Sequence, residues 1–338
     1  MRADGGLADQ ARPKHSDRRS FFSMKRSVVT MAILSLMLAL ASAAAAQDAA
    51  KQKEEADAYT AWYTANQAKD FPKAYDLAKS YVGKFPSAQY AGYVKNWIVQ
   101  TRWFLFNKAR QEKNIAEELK LGGEALTADP ENFDYIYFLA IDLRTVELFA
   151  NPPNYSHETQ AVDFTQRAIK LIEAGKILTG TAPDKWNKNP ILAFFNQTLA
   201  VLAQKNKETD KAIELYKKCA SLDPTAPNYF LQVGSLHYEK YSAAAKKFDA
   251  LPTEQKAEPE KFPDAKVVFD EINSQADTVI DSWARFLALT QKDAAKWEPT
   301  RGQIEKAAGD LYKFRHPDSP TGLQELINKH STGAPPTN

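Results

Sequence analysis

Downstream of Gln47, apolar side chains recur at intervals of three and four residues, the spacing that lines them up along one side of a helix. Tyr59, Trp62, Tyr63 and Ala65 share one such face; Ala74, Leu77, Ala78, Tyr81 and Val82 share the next. Phe71-Pro72 stands between them, where proline fits the first turn of a helix, and Phe85-Pro86 closes the second. This predicts a helical hairpin of about 34 residues. The stretch from Ile191 to Pro224 repeats the plan. Leu192, Phe195, Leu199 and Leu202 lie on one helix, Ala212, Leu215, Tyr216, Cys219 and Leu222 on its partner, and Asp223-Pro224 is the stop.

Between these hairpins the period continues. A long helix over 88–110 carries Trp97, Trp103, Phe104 and Phe106, which cannot all share one narrow face. A helix over 113–127 follows, then one over 132–149 with Ile136, Leu139 and Ala140 on its apolar side. Asn151-Pro152-Pro153-Asn154-Tyr155 cannot continue that helix and predicts a projecting insertion. Past residue 251 the rhythm changes. Pro252, Pro259 and Pro263 punctuate a polar linker over 252–264. A helix over 265–289 then presents Val268, Ile272, Ala276, Val279, Trp283 and Phe286, with further helices over 301–314 and 323–327.

The segment KETDKAIELYKKCASLDP and the helix after it, NYFLQVGSLHYEKY, resemble the tetratricopeptide repeat. Ala212 matches that family's alanine slot, Tyr216 its aromatic slot, Cys219 its small slot and Pro224 its closing proline. Phe230 takes the large-aromatic position, Val233 and Gly234 the Leu-Gly pair, and His237 stands where tyrosine is usual. In KDFPKAYDLAKSYVGKFP, Ala74 and Pro86 fit while Ala78 and Tyr81 depart. KNIAEELKLGGEALTADP keeps Ala125, Leu126 and Pro130 but puts Glu118 in the alanine slot and Gly122 in the aromatic one. TQAVDFTQRAIKLIEAG keeps Ala161 and Ala168. The resemblance runs from about Ala56 to Tyr241. It implies an all-α, tetratricopeptide-like helical-hairpin solenoid over 47–251, with additional C-terminal capping helices over 265–330 and a disordered tail at 331–338. Ala74 and Ala212 would sit at close helix crossings, and Leu199, Leu215 and Phe195 would fill the space between layers.

The N-terminus changes the picture. From Met24 the chain reads MKRSVVTMAILSLMLALASAAAAQDAA: a basic start at Lys25 and Arg26, an apolar run from Val28 to Leu40, and small residues through Ala46. This is the composition of a cleavable export signal, with Gln47 as the favoured mature start and cleavage after Ala43 also possible. The apolar run is shorter than the roughly 20 residues a membrane span needs, so a retained anchor is the weaker alternative. Residues 1–46 are therefore set apart as an N-terminal extension and signal peptide, and the mature chain is expected in the periplasm or outside the cell. They hold seven of the 44 basic and three of the 42 acidic residues, which leaves 37 and 39 and a body near −2. So balanced a body gives no electrostatic case for nucleic acid as a partner.

Chemistry is sparse. One cysteine excludes an internal disulfide framework and multi-cysteine metal sites, and no phosphate loop, nucleophile elbow or His-Glu-x-x-His spacing occurs. Asp70, Asp129 and Asp223 fall at repeat turns and read as turn and helix-end hydrogen-bonding residues. Glu54-Glu55 and Glu117-Glu118 read as solvated helix charges, since adjacent helical residues do not face one another. Ser156-His157-Glu158 is contiguous, which is no basis for a triad. His237 and Cys219 read as packing residues, and His316 and His330 stand alone near polar termini. No catalytic, cofactor-binding or metal-binding residue is therefore assigned, and no cofactor is expected. The expected role is an exported, non-enzymatic binding or assembly module for an envelope protein or peptide. The alternatives are a passive envelope scaffold and, further off, a small-molecule carrier or an enzyme. The aromatic residues, six tryptophans among them, are read as core first and as recognition surface second.

Overall fold

A computed structural model describes residues 47–319 and 321–331. Residues 1–46, where the export signal and its cleavage site are expected, and residues 332–338 of the expected tail lie outside the described residues. Every regular element among them is helical: α1 (47–67), α2 (Phe71–Lys84), α3 (Ala91–Gln111), α4 (Ile115–Ala128), α5 (Phe133–Asp142), α6 (Glu158–Glu173), α7 (Lys188–Lys205), α8 (Thr209–Leu222), α9 (Pro227–Asp249), α10 (Thr253–Ala257), α11 (Pro263–Leu289), α12 (Ala294–Trp297), α13 (Thr300–Arg315) and α14 (Leu323–Ser331). Short 3₁₀ turns lie at Pro183–Lys185, Pro259–Lys261 and Gln291–Asp293.

The helices are paired by a turn used three times. After α1, α3 and α7 a lysine adopts positive φ: Lys69 at 58°, Lys113 at 56° and Lys207 at 62°. In each case its N–H donates to the carbonyl three residues back (Asn66, Arg110, Gln204), and the next N–H donates five residues back (Ala65, Ala109, Ala203). That bond pair is the Schellman C-cap, which satisfies carbonyls a helix end would otherwise leave open. The residue after the lysine then becomes the N-cap of the next helix: Asp70, Asn114 and Glu208. Asp70 and Asn114 accept from the backbone of Lys73 and Glu117. The helices so started, α2, α4 and α8, are each 14 residues long. They also end alike, since Phe85, Asp129 and Asp223 donate N–H back to Tyr81, Ala125 and Cys219 immediately before a proline.

Within these helices the fourth residue is Ala74, Glu118 or Ala212, the eighth Ala78, Gly122 or Tyr216, and the eleventh Tyr81, Ala125 or Cys219. All nine are buried. Helix propensity is a weak determinant here; what fixes the helices is the repeated cap and one buried stripe. Replacing Ala212, which has no exposed surface, by tryptophan should destabilise the chain by about 1–3 kcal/mol. Lys211→Trp, on the exposed side of the same helix, should stay within about 0.5 kcal/mol. Chemical unfolding of the two variants measures the difference, and equal losses would contradict this assignment of faces.

The described residues divide into two compact units, with the boundary between Leu105 and Phe106. In the first, buried Trp62, Tyr75, Tyr81 and Val94 form the interior, with the Arg102 side chain donating to the Tyr75 hydroxyl at 2.8 Å. In the second, stacked helix pairs pack around several clusters of buried side chains. Ala200, Ala212, Tyr216, Cys219, Tyr229 and Val233 join α7, α8 and α9. Trp283, Phe286, Leu311, Leu323 and Ile327 join α11, α13 and α14, with Phe230, Leu231 and Tyr241 of α9 packed against them. Gly234 lies directly beneath Trp283: a Cβ there would stand 2.3 Å from the indole. The glycine is what lets α9 and α11 approach.

Several expectations change. Residues 132–149 are not one helix: α5 stops at Asp142, and Leu143–Leu148 winds more widely, as a π-helix. The 252–264 stretch holds α10 and a 3₁₀ turn. Ser331, placed in the tail, closes α14. Leu199 and Leu215 are only half-buried, unlike Phe195, which has no exposed surface.

Candidate binding surfaces

In the first unit, α1 and the start of α3 present an aromatic surface. Trp62 is fully buried, and around it stand Tyr63, Tyr90 and Tyr93, exposed by 48%, 45% and 60%. The rings are in contact. Tyr59 stacks on Tyr63 at 6.3 Å and 11°, and its centroid is 4.7 Å from Tyr90 and 5.2 Å from Trp62. Trp62 meets Tyr93 at 5.9 Å and Trp97 at 5.5 Å, both edge-on. Burial, then the neighbouring Tyr90, Tyr93 and Tyr63, raises the pKa of Tyr59, so its phenol stays neutral. Helical spacing places Tyr59 and Tyr63 one turn apart, so they ride on the same side of α1. Trp97 is half-buried, Phe104 is half-exposed against Phe71 at 5.3 Å, and Phe106 is fully buried 4.8 Å from Tyr135. The sequence expectation that these aromatics divide between faces describes their positions well.

In the second unit two guanidinium groups sit over aromatic rings. Arg110 is 3.7 Å from the Phe138 centroid and pairs with Asp142 at 2.5 Å. Arg144, in the π-turn, lies between Phe194 at 3.7 Å and Phe149 at 4.0 Å and donates to Gln197 at 2.7 Å. Burial lowers its pKa to about 10, and it stays charged at neutral pH. Beside Arg110, Glu118 is 1% exposed and its carboxyl faces that of Asp142. Burial, then the Asp142 charge, pushes its pKa up to about 8 against the opposing pull of Arg110. Glu118 is thus a neutral acid packed in an alanine position, not a solvated charge. Its helical neighbour Glu117 does pair outward, with Lys120 at 3.1 Å.

The residues singled out from sequence fall at separate places. Asp129 accepts from Asn132 at 3.2 Å, and Asp223 from the Thr225 N–H at 3.2 Å and hydroxyl at 2.7 Å. His157 faces Glu147 at 2.8 Å, not Glu158, while the Ser156 hydroxyl donates to Asn154. Glu147 also accepts from Asn154, so the insertion is tied down at its far end. Tyr155 is half-buried against the cluster of Leu143, Leu148 and Leu202, with Lys205 4.4 Å above its ring. His237 is 8% exposed, shares a 2.6 Å hydrogen bond with Gln275 and is made less basic by burial. The Cys219 thiol, fully buried and donating to the Ala193 carbonyl at 3.3 Å, is pushed up to about 12 by burial. His330 pairs with Asp281 at 3.0 Å and fastens α14 to α11.

Two cavities open between alternate helices of the second unit. One, about 410 Å³, has α7 as its floor and α6 and α8 as its walls, and it takes in Leu199, Leu202, Leu215, Lys211, Glu214 and Lys218. The other, about 440 Å³, has α9 as its floor and α8 and α11 as its walls. Phe230, placed in the repeat's aromatic slot, and Lys217 line it, and nothing in the one-dimensional pattern marks either as groove-facing. No cluster of His, Cys, Asp and Glu with metal-ligand geometry occurs among the described residues, and none of their helices is long and apolar enough to cross a membrane. No family model matches the chain, and no curated protein matches it.

Proposed function

We propose that the chain is an exported, non-enzymatic module of the tetratricopeptide-like kind that binds a protein or peptide in the envelope through its helical surface. The repeat part of this reading is supported by the thrice-used lysine turn, the 14-residue helices it starts and the buried fourth, eighth and eleventh positions. The export part rests on the basic, apolar and small-residue order of 24–46. Ser156, His157 and Cys219 are each engaged without a nucleophile–base contact, which favours binding over catalysis.

The observation that carries the binding role is the tyrosine surface of α1 and α3. Three tyrosines exposed by about half, two of them edge-on to a buried tryptophan and the third against Tyr59, form a stiff amphipathic platform. Tyrosine and tryptophan give large contact area at low side-chain entropy cost, and they dominate interface energetics. Tyr63→Ser/Tyr93→Ser in the mature chain should leave the melting temperature nearly unchanged and cut recovery of captured envelope proteins at least tenfold. Capture of the same proteins in the same amounts by the folded double variant would overturn the reading in favour of a passive scaffold.

A further inference from the structure

We propose that the cavity between α8, α9 and α11 receives an acidic peptide segment anchored by one apolar side chain. The inference deepens the binding-module reading and rests on it, but it concerns a surface separate from the tyrosines.

These two cavities are close in volume and each lies among three helices, so the comparison turns on the groups that line them. In the α6–α7–α8 cavity the cations are already neutralised: Lys211 pairs with Glu208 at 2.6 Å and Lys218 with Glu173 at 3.3 Å. Glu214 adds a carboxylate with no cation on it among the described residues. An acidic ligand is repelled there. In the α8–α9–α11 cavity the balance is reversed. Its one carboxylate, Asp281, is held by Arg285 at 2.9 Å and by His330 at 3.0 Å. Its pKa is lowered: burial opposes ionisation, but those two partners outweigh it. Lys217, on the rim, has no carboxylate partner among the described residues. The site therefore carries an uncompensated positive charge above an apolar floor that includes Pro224, Phe230 and Val233.

The hydroxyls decide what kind of anion fits. Of the three hydroxyl residues that line the cavity, Ser221 and Thr278 have their protons committed to their own helix, to the Lys218 carbonyl at 2.8 Å and the Ser274 carbonyl at 3.0 Å, and Ser282 is the third. What remains on Ser221 and Thr278 is acceptor capacity. A peptide backbone supplies N–H donors for it, and an acyl chain supplies none. A volume of about 440 Å³ lies in the lower part of the ~300–1,000 Å³ range of ligand cavities. It holds an anchoring side chain and its immediate neighbours, with a flanking carboxylate directed at Lys217.

The test uses the full mature chain and a fluorescein-labelled heptapeptide, Gly-Asp-Glu-Phe-Asp-Glu-Gly, read by anisotropy. The wild-type chain should bind it, bind at least tenfold more weakly the same peptide with lysine at the four acidic positions, and lose affinity as salt is raised. Lys217→Glu, at an exposed position, should weaken binding at least tenfold, while Lys211→Glu in the neighbouring cavity should change it less than twofold. Failure of the wild type to bind the acidic peptide would overturn the proposal, as would equal binding by Lys217→Glu. Displacement of the peptide by sodium octanoate at equal concentration would also overturn it, and would assign the cavity to a lipid anion. None of these results bears on capture through Tyr63 and Tyr93, so the two readings fail separately.

Discussion

Trp283→Ala is expected to lower stability by about 3–5 kcal/mol, the largest single loss anticipated in the chain. The indole is 3% exposed, packs 5.3 Å from the Tyr238 ring, and closes over Gly234 at the centre of the α9–α11 contact. Its Nε1 is buried without a partner, so truncation also removes an unsatisfied donor, and the loss should fall toward the lower end of that range. Gly234→Ala approaches the same contact from the other side. Its new Cβ would meet the indole at 2.3 Å, so the tryptophan must shift, at about 1–3 kcal/mol. The double variant should be less destabilised than the sum of the two, because alanine at 234 clashes only while the indole is present. Urea unfolding followed by far-ultraviolet circular dichroism measures all three, and strict additivity would show that the two residues do not meet.

Glu118→Gln should reverse the usual outcome of removing a charge and make the protein more stable at alkaline pH. The carboxyl titrates near 8 in the folded chain, raised from 4.5 first by burial and then by Asp142. A raised acid pKa means that the folded state holds the proton more tightly than the unfolded state does. Its contribution is complete below pH 4.5 and is lost as pH rises through 8, with a slope of at most about 1.4 kcal/mol per pH unit. Glutamine keeps the shape and stays neutral, so its variant should lack this decline. At pH 9 it should exceed the wild type by about 1–3 kcal/mol, while at pH 5 the two should nearly coincide. Urea midpoints from pH 5 to 9 give the comparison; parallel profiles would mean that Glu118 is ionised and solvated.

Helix existence was legible in the sequence because its signals are local. Phe85-Pro86, Asp129-Pro130 and Asp223-Pro224 stop helices where proline must, and the apolar period of three and four carries the rest. The lysine turns were not legible: positive φ favours glycine or asparagine, and nothing in Lys69, Lys113 or Lys207 announces it. Partnerships between distant elements were equally hidden. Gly234 stood out as a small residue, but that Trp283 fills the space above it depends on how α11 returns across a 13-residue connection (250–262). Glu118 was visibly out of place in an alanine position, yet its adjacency to Glu117 suggested solvent. Only the packing of α4 beside Arg110 and Asp142 shows it to be buried. The groove residues Lys217, Phe230 and Arg285 come from three helices, and one-dimensional spacing carries no information about that convergence.

The solitary thiol has a practical consequence. Cys219 is the chain's only cysteine, it has no exposed surface, and it lies in the layer where α7, α8 and α9 meet. A reagent that alkylates thiolates can reach it only when that layer opens, and burial suppresses the thiolate until then. The unmodified protein therefore carries its own clock. The rate at which a maleimide adds to it, followed by the mass gained, reports how often this layer of helices breathes without global unfolding. A peptide seated in the cavity walled by α8 would slow that clock, and ligand occupancy becomes readable from the time a single sulfur takes to react.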